Sequence, residues 1–143
     1  MQFIKNEKNS IENNKNKDII NVSIDTFDKD EVTDISEVIR ICERISNERI
    51  EINQDYYKNL IFSTDYGYTP DDMREVIHSL TKFDLYKGPE KDRNPNYKHP
   101  FWIFIKYLPD IDCNVYIKLK IVNHKLKVNV FRFHEEGMYD EDF

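Results

Sequence analysis

Basic and aromatic side chains recur at every second position in the C-terminal half of this sequence. Tyr116, Lys118 and Lys120 alternate with aliphatic residues, and a second alternating run follows Asn123 and His124. Strict alternation predicts two β-strands, and a two-residue turn at Asn123 and His124 joins them in a hairpin. One face of this hairpin is then aliphatic and belongs to the core, while the other presents the lysines and a tyrosine.

The predicted hairpin register places like charges opposite each other. If Ile121 faces Leu126, then Lys120 lies directly across from Lys127. Opposed cations destabilise a hairpin unless an anion lies between them, and an RNA phosphate is such an anion. Lysines beside an aromatic ring suit single-stranded RNA, because charge follows the backbone and the ring stacks a base. The alternative is that Lys118, Lys120 and Lys127 only keep a solvated sheet face from aggregating.

The end of the second strand requires a change of register. Continued alternation would place Arg132 and His134 on the aliphatic face, where charges are unfavourable. A β-bulge near Val130 or Phe131 would return both residues to the lysine face, and we predict that bulge. His134 is then a candidate general acid or base, because an imidazole titrates near neutral pH.

The segments before the hairpin predict helices. A helix is expected from Asp34, a shorter one over 54–62 with Tyr57, Leu60 and Ile61 inward, and a third that begins with Thr69 and Pro70. The stretch 88–100 reads as an exposed loop, and strands follow over 101–107, 114–122 and 125–133. The expected class is α+β, with N-terminal helices packed on an antiparallel β-sheet.

Length and composition predict one domain. The 143 residues, 39% of them hydrophobic, can form a single core over 31–136, with a flexible extension at 1–30 and an acidic tail at 137–143. Residues 82–134 contain 11 Lys or Arg against five Asp or Glu, although the whole chain has a formal charge of −6. The chain therefore places a basic half inside an acidic protein.

Two cysteines and the absence of long apolar runs bear on location and cofactors. Cys42 and Cys113 follow no metal or redox spacing and are expected to be reduced and buried, as in a cytoplasmic protein. No apolar run approaches the roughly 20 residues of a membrane helix. The acidic pairs at 71–72 and 110–112 suit a helix start and a loop, so neither a metal nor another cofactor is expected.

Four segments together resemble a known protein family. Their order and spacing are similar to those of the MqsR-type toxins of bacterial toxin-antitoxin systems, and the resemblance spans about residues 34 to 136. The segments are SLTKFDLYK at 79–87, HPFW at 99–102, VYIKLK at 115–120 and VFRFH at 130–134.

The resemblance implies a RelE-like fold and a metal-independent endoribonuclease that cleaves single-stranded mRNA and is held inactive by an antitoxin protein. Lys87 and Tyr116 match the family's catalytic lysine and tyrosine, and His134 is added from the residues themselves. The remaining RNA-binding candidates are Lys118, Lys120, Lys127, Arg132, His99 and Trp102. Ile103 departs from the family's pattern, which has glutamine after the tryptophan. The alternative is a non-catalytic module on the same scaffold that binds RNA or inhibits another protein, with a phage-encoded protein among the options.

Overall fold

The computed structural model describes residues 31–137, so the expectations for 1–30 and for the tail beyond Gly137 lie outside the described residues. The described chain folds into three α-helices and one five-stranded sheet. In chain order the elements are α1 (Ile35–Arg44), β1 (Ile50–Ile52), α2 (Tyr57–Tyr66), α3 (Pro70–His78), β2 (Leu85–Glu90), β3 (Phe101–Leu108), β4 (Cys113–Val122) and β5 (Lys127–Glu135).

The sheet has the strand order β1-β5-β4-β3-β2. β2, β3, β4 and β5 are antiparallel neighbours, whereas β1 pairs with β5 in parallel. The α+β class is confirmed, but the sheet is mixed and its first strand precedes α2 and α3. The short β1 has only Ile50 and Ile52 as buried residues, which is too little alternation to signal a strand.

Two predicted helix starts are confirmed by their caps. The Asp34 side chain accepts a hydrogen bond from the Ser36 amide at the start of α1. Thr69 and Asp72 form a reciprocal capping box around Pro70 at the start of α3. Local side-chain chemistry therefore fixes where both helices begin.

The orientation predicted for α2 is wrong. The helix begins at Tyr57, and its inward side carries Lys58, Asn59 and Phe62. Phe62 packs on Phe133 of β5 with a ring-centroid distance of 5.6 Å, and this contact sets the inward side. The three apolar side chains expected inside are instead 39–53% exposed: Tyr57, Leu60 and Ile61.

The hairpin turn is longer than predicted. Val122 pairs with Lys127, so four residues form the turn, and Asn123, His124 and Lys125 all have positive φ. The predicted pairing of Ile121 with Leu126 is therefore wrong by two residues, and Leu126 is half exposed. A shift of two preserves the face of every side chain, so the aliphatic face is still core.

The predicted β-bulge is confirmed. Leu119 pairs with Val130 and Lys118 pairs with Arg132, which leaves Phe131 as the extra residue of β5. Buried Asn59 closes this irregular stretch: its amide donates to the Phe131 carbonyl at 3.1 Å and its oxygen accepts from the Phe133 amide at 2.8 Å. A side chain from α2 thus supplies the backbone partners that a longer β1 would have provided.

The predicted loop at 88–100 begins later than expected, because 85–90 forms the edge strand β2. Gly88 has φ +141°, and a Cβ atom there would lie 3.0 Å from the Phe101 carbonyl oxygen and 3.1 Å from the Trp102 ring. Glycine therefore allows β2 to approach β3 closely at this point.

One face of the sheet packs against the helices. Its core side chains include Trp102, Phe104, Ile117, Leu119 and Phe133, each no more than 1% exposed. Cys42 and Cys113 are free and buried, as expected. Among residues 31–137 the structure has no helix that is both long and apolar enough to span a membrane.

Candidate nucleic-acid interface

The second face of the sheet, which we call the open face, carries a transverse row of four side chains. Lys87 pairs with Ile103, Ile103 with Lys118, and Lys118 with Arg132. Directly paired residues point to the same face, so the row crosses β2, β3, β4 and β5. Ile103 is only 3% exposed and stands outside the main core cluster, so it forms an apolar floor between the cations. Lys87 and Lys118 are two strand spacings apart, or about 10 Å between backbones.

Lys118 and Arg132 form a cross-strand pair of cations at the β5 end of this row. The Lys118 Nζ atom lies 4.3 Å from the ring centroid of Phe101, and the Arg132 guanidinium lies 3.8 Å from that of Tyr56. The predicted pairing of Lys120 with Lys127 is wrong, because Lys120 pairs with Asn129; the cations that lie opposite each other are Lys118 and Arg132. Each cation rests on an aromatic ring, so cationic groups and aromatic rings lie side by side on this part of the open face.

Tyr116 and His134 lie one row further along the same two strands. Their rings stack at a centroid distance of 5.3 Å and an interplanar angle of 19°. The Tyr56 ring is 6.0 Å from His134, whose Nδ1 atom lies 3.1 Å from the Glu135 carbonyl oxygen. His134 is 1% exposed, whereas Tyr116 is partly exposed. The structure therefore brings these two predicted residues together, with Tyr116 nearer to solvent.

Lys87 is on the open face but lies at its edge. Its amine forms a 2.9 Å ion pair with Glu90. The hydrogen bond to Glu90, aided by the charge of that carboxylate, raises the pKa of Lys87 above its ordinary value. A lysine that acts as a general base needs a lowered pKa, so the environment favours Lys87 as a cation and not as a base.

Lys120 is buried instead of facing solvent. Its amine lies 2.6 Å from a carboxylate oxygen of Asp92, and both side chains are less than 15% exposed. Three rings surround the amine with centroid distances of 4.5 to 5.8 Å: Phe101, Tyr97 and Phe131. Lys120 therefore joins the loop after β2 to the open face.

Three other residues that were predicted to bind RNA lie outside the transverse row. Lys127 forms a 2.6 Å ion pair with Glu51 at the turn end of β5. His99 is half-buried in the loop before β3. Trp102 is 1% exposed within the core, so its assignment to RNA binding is corrected: its place in β3 turns it away from the Ile103 side of the sheet.

Sequence reasoning missed Tyr56 and Phe101 as parts of the open face. Tyr56 reaches Arg132 only because α2 lies beside β5 where β1 ends, and no local pattern reports that contact. Phe101 and Phe131 pack edge to face at 5.2 Å. Phe131 was expected on this face, because the alternation of β5 places it on the same side as Lys127 and Asn129.

A cavity of about 440 Å³ lies along α3, away from the lysine row, and its lining includes Asp72, Glu75 and Asp110. Carboxylates repel phosphate, so the cavity does not suit RNA. Within 31–137 no group of three or more His, Cys, Asp or Glu is placed to hold a metal ion.

Comparison with known proteins gives no assignment: no protein-family model matches the sequence, and no curated protein matches it significantly.

Proposed function

We propose that the open face binds single-stranded RNA and that the protein cleaves it, as a metal-independent endoribonuclease of the toxin-antitoxin kind with a RelE-like arrangement. The observation that carries this proposal is the cross-strand pair of Lys118 and Arg132, held between the rings of Phe101 and Tyr56. Two adjacent cations attract a phosphate, and the aromatic rings beside them offer surfaces on which bases stack.

The chemistry proposed for this face is attack by a ribose 2′-oxygen on the adjacent phosphorus. The P–O bond to the 5′-oxygen breaks, which leaves a 2′,3′-cyclic phosphate and a 5′-hydroxyl. Lys118, Arg132 and Lys87 supply positive charge for the phosphorane. One proton leaves the 2′-hydroxyl and one reaches the 5′-oxygen; we assign these transfers to Tyr116 and His134, while Lys87 acts as a cation.

The cheapest test is incubation of purified protein with a long single-stranded RNA in EDTA. We expect products with 5′-hydroxyl ends and expect Tyr116→Phe and Lys87→Ala to slow cleavage by about 10²-fold or more, as is typical when a proton-transfer or charge-stabilising group is removed. Lys125→Ala is the matched control, because it removes one positive charge at the hairpin turn, where Lys125 pairs with Glu37 of α1. Equal losses in the control would contradict a localised site.

A second candidate function is RNA binding without cleavage. The burial of His134 and the raised pKa of Lys87 both favour it, because neither group is poised as a base. In this case the RNA stays intact at micromolar protein but shifts in a binding assay, and Lys118→Ala and Arg132→Ala each lower the salt dependence of binding.

The toxin role is tested separately in cells. Expression of the chain should arrest growth, and co-expression of the product of the adjacent gene should relieve the arrest if that product is the antitoxin. Arrest that persists in Tyr116→Phe would separate toxicity from cleavage.

A further inference from the structure

The loop between β2 and β3, residues 91–100, is anchored on the open face by a buried ion pair. The Lys120 amine and the Asp92 carboxylate are 2.6 Å apart, with 7% and 13% of their side chains exposed. Tyr97 of the same loop lies 5.3 Å from the Lys120 amine. These contacts join the loop to the C-terminal half of β4.

The loop is also ordered by its own side chains. The Asp92 carboxylate accepts from the Asn94 amide at 2.9 Å, and the Asn94 side chain accepts from the Asn96 amide at 2.9 Å. The Tyr97 amide donates to the Asn94 carbonyl. Successive turns of this kind shape the backbone locally, so the ion pair has a preformed segment to position.

The residues that this segment exposes are cationic and aromatic. Lys91, Arg93 and Lys98 are exposed, and the Tyr97 ring is 60% exposed although its neighbour Lys120 is buried. Positive charge next to an exposed ring is the combination that single-stranded RNA uses on proteins.

We propose that residues 91–98 form a second wall of the RNA track, in which Lys91, Arg93 and Lys98 bind phosphates and Tyr97 stacks a base, and that Asp92 is a positioning residue that holds this wall through Lys120. The inference rests on the proposed RNA binding and names further residues for it. Lys120, predicted as a phosphate ligand, acts instead through Asp92.

The direction in which Asp92→Asn changes RNA affinity distinguishes a positioning role from a purely electrostatic effect. Removal of a negative charge beside an RNA site should tighten binding if charge alone matters. If Asp92 positions the loop, the same change weakens binding, by about fivefold at 0.1 M salt for each phosphate that the loop no longer binds. Asp65→Asn on α2 is the matched control, since Asp65 is an exposed carboxylate in another part of the fold.

The measurement is fluorescence anisotropy with a short single-stranded 2′-O-methyl RNA, which cannot be cleaved by 2′-oxygen attack, titrated at several salt concentrations. We expect Asp92→Asn to weaken binding and flatten the slope of log K against log salt, Lys120→Met to do the same, and the double variant to add little. Asp92→Asn that binds as well as or better than wild type would overturn the proposal.

Two further outcomes keep the test decisive. If Asp92→Asn lowers the helix content measured by circular dichroism, the exposed double variant Lys91→Ala/Arg93→Ala replaces it, and an unchanged salt slope in that variant overturns the proposal. If the wild-type protein does not bind the RNA, the proposed RNA-binding function is wrong. If the wild type binds and the variants bind equally well, only the proposed role of residues 91–98 is wrong.

Discussion

Asn59→Ala should both destabilise the fold and impair the open face. The Asn59 side chain is 2% exposed and makes three hydrogen bonds to backbone groups: to the carbonyls of Asn53 and Phe131 and from the amide of Phe133. A hydrogen bond contributes about 0.5–1.5 kcal/mol net, and a buried group left without a partner costs about 1–3 kcal/mol. Truncation to alanine should therefore cost about 3 kcal/mol of unfolding free energy.

Urea denaturation measures this loss. With a slope of about 1–3 kcal/mol per M, the midpoint should fall by about 1–3 M. RNA affinity should fall as well, because the bulge that Asn59 stabilises orients Arg132. Asn96→Ala, an exposed loop asparagine, is the control for stability. A loss below about 1 kcal/mol in Asn59→Ala would refute the view that this side chain holds the bulge.

Two further predictions concern titratable groups. Burial of the Asp92 carboxyl by itself raises its pKa, but the hydrogen bond from Lys120 and the backbone bond from Asn94 outweigh burial and hold the pKa below the ordinary 3.8. Its contribution to stability is therefore present above pH 3.8 and lost as pH falls through the lowered value. The stability gap between wild type and Asp92→Asn, measured by urea denaturation, should stay constant down to about pH 5 and narrow below it. A gap that widens on acidification would contradict this sign. Burial raises the pKa of the Cys42 thiol to about 12 and also raises that of Cys113. A disulfide reagent at neutral pH should therefore label neither thiol in the native protein and both after denaturation. Rapid labelling of the native protein would show that a thiol is accessible.

Features set by local chemistry were predictable. The caps at Asp34 and Thr69 and the bulge at Phe131 follow from side chains within a few residues of each other, and the structure confirms all of them. The aliphatic face of the β4–β5 hairpin was also predictable. Side chains alternate between the two faces of a strand, so an error of two residues in the register leaves each side chain on its correct face.

Features set by distant contacts were not predictable. The α2 helix shows the reason: its inward side includes Lys58 and Asn59, and Asn59 is inward because the backbone of β5 needs partners there. The apolar pattern of α2 carries no information about the hydrogen-bonding partners that the backbone of β5 requires about 70 residues further along the chain. The burial of Lys120 has the same origin, since Asp92 reaches it across the sheet from a loop.

Four residues of the open face were predicted, but the aromatic side chain that contacts Arg132 was not. Tyr116, Lys118, Arg132 and His134 belong to it as expected, because alternation and the bulge together determine their side. The aromatic partner of Arg132 could not be foreseen, because Tyr56 comes from the segment before α2.

Because β5 contains one extra residue at its bulge, the number of residues in the strand decides which of its side chains face the core. Before Phe131 the even-numbered Val128 and Val130 face the core, and after it the odd-numbered Phe133 does. Deletion of one residue between Val130 and Phe133 would exchange the faces of everything downstream, whereas most point substitutions leave the faces unchanged. The number of residues in β5 before Phe133 thus determines which of its later side chains lie on the open face.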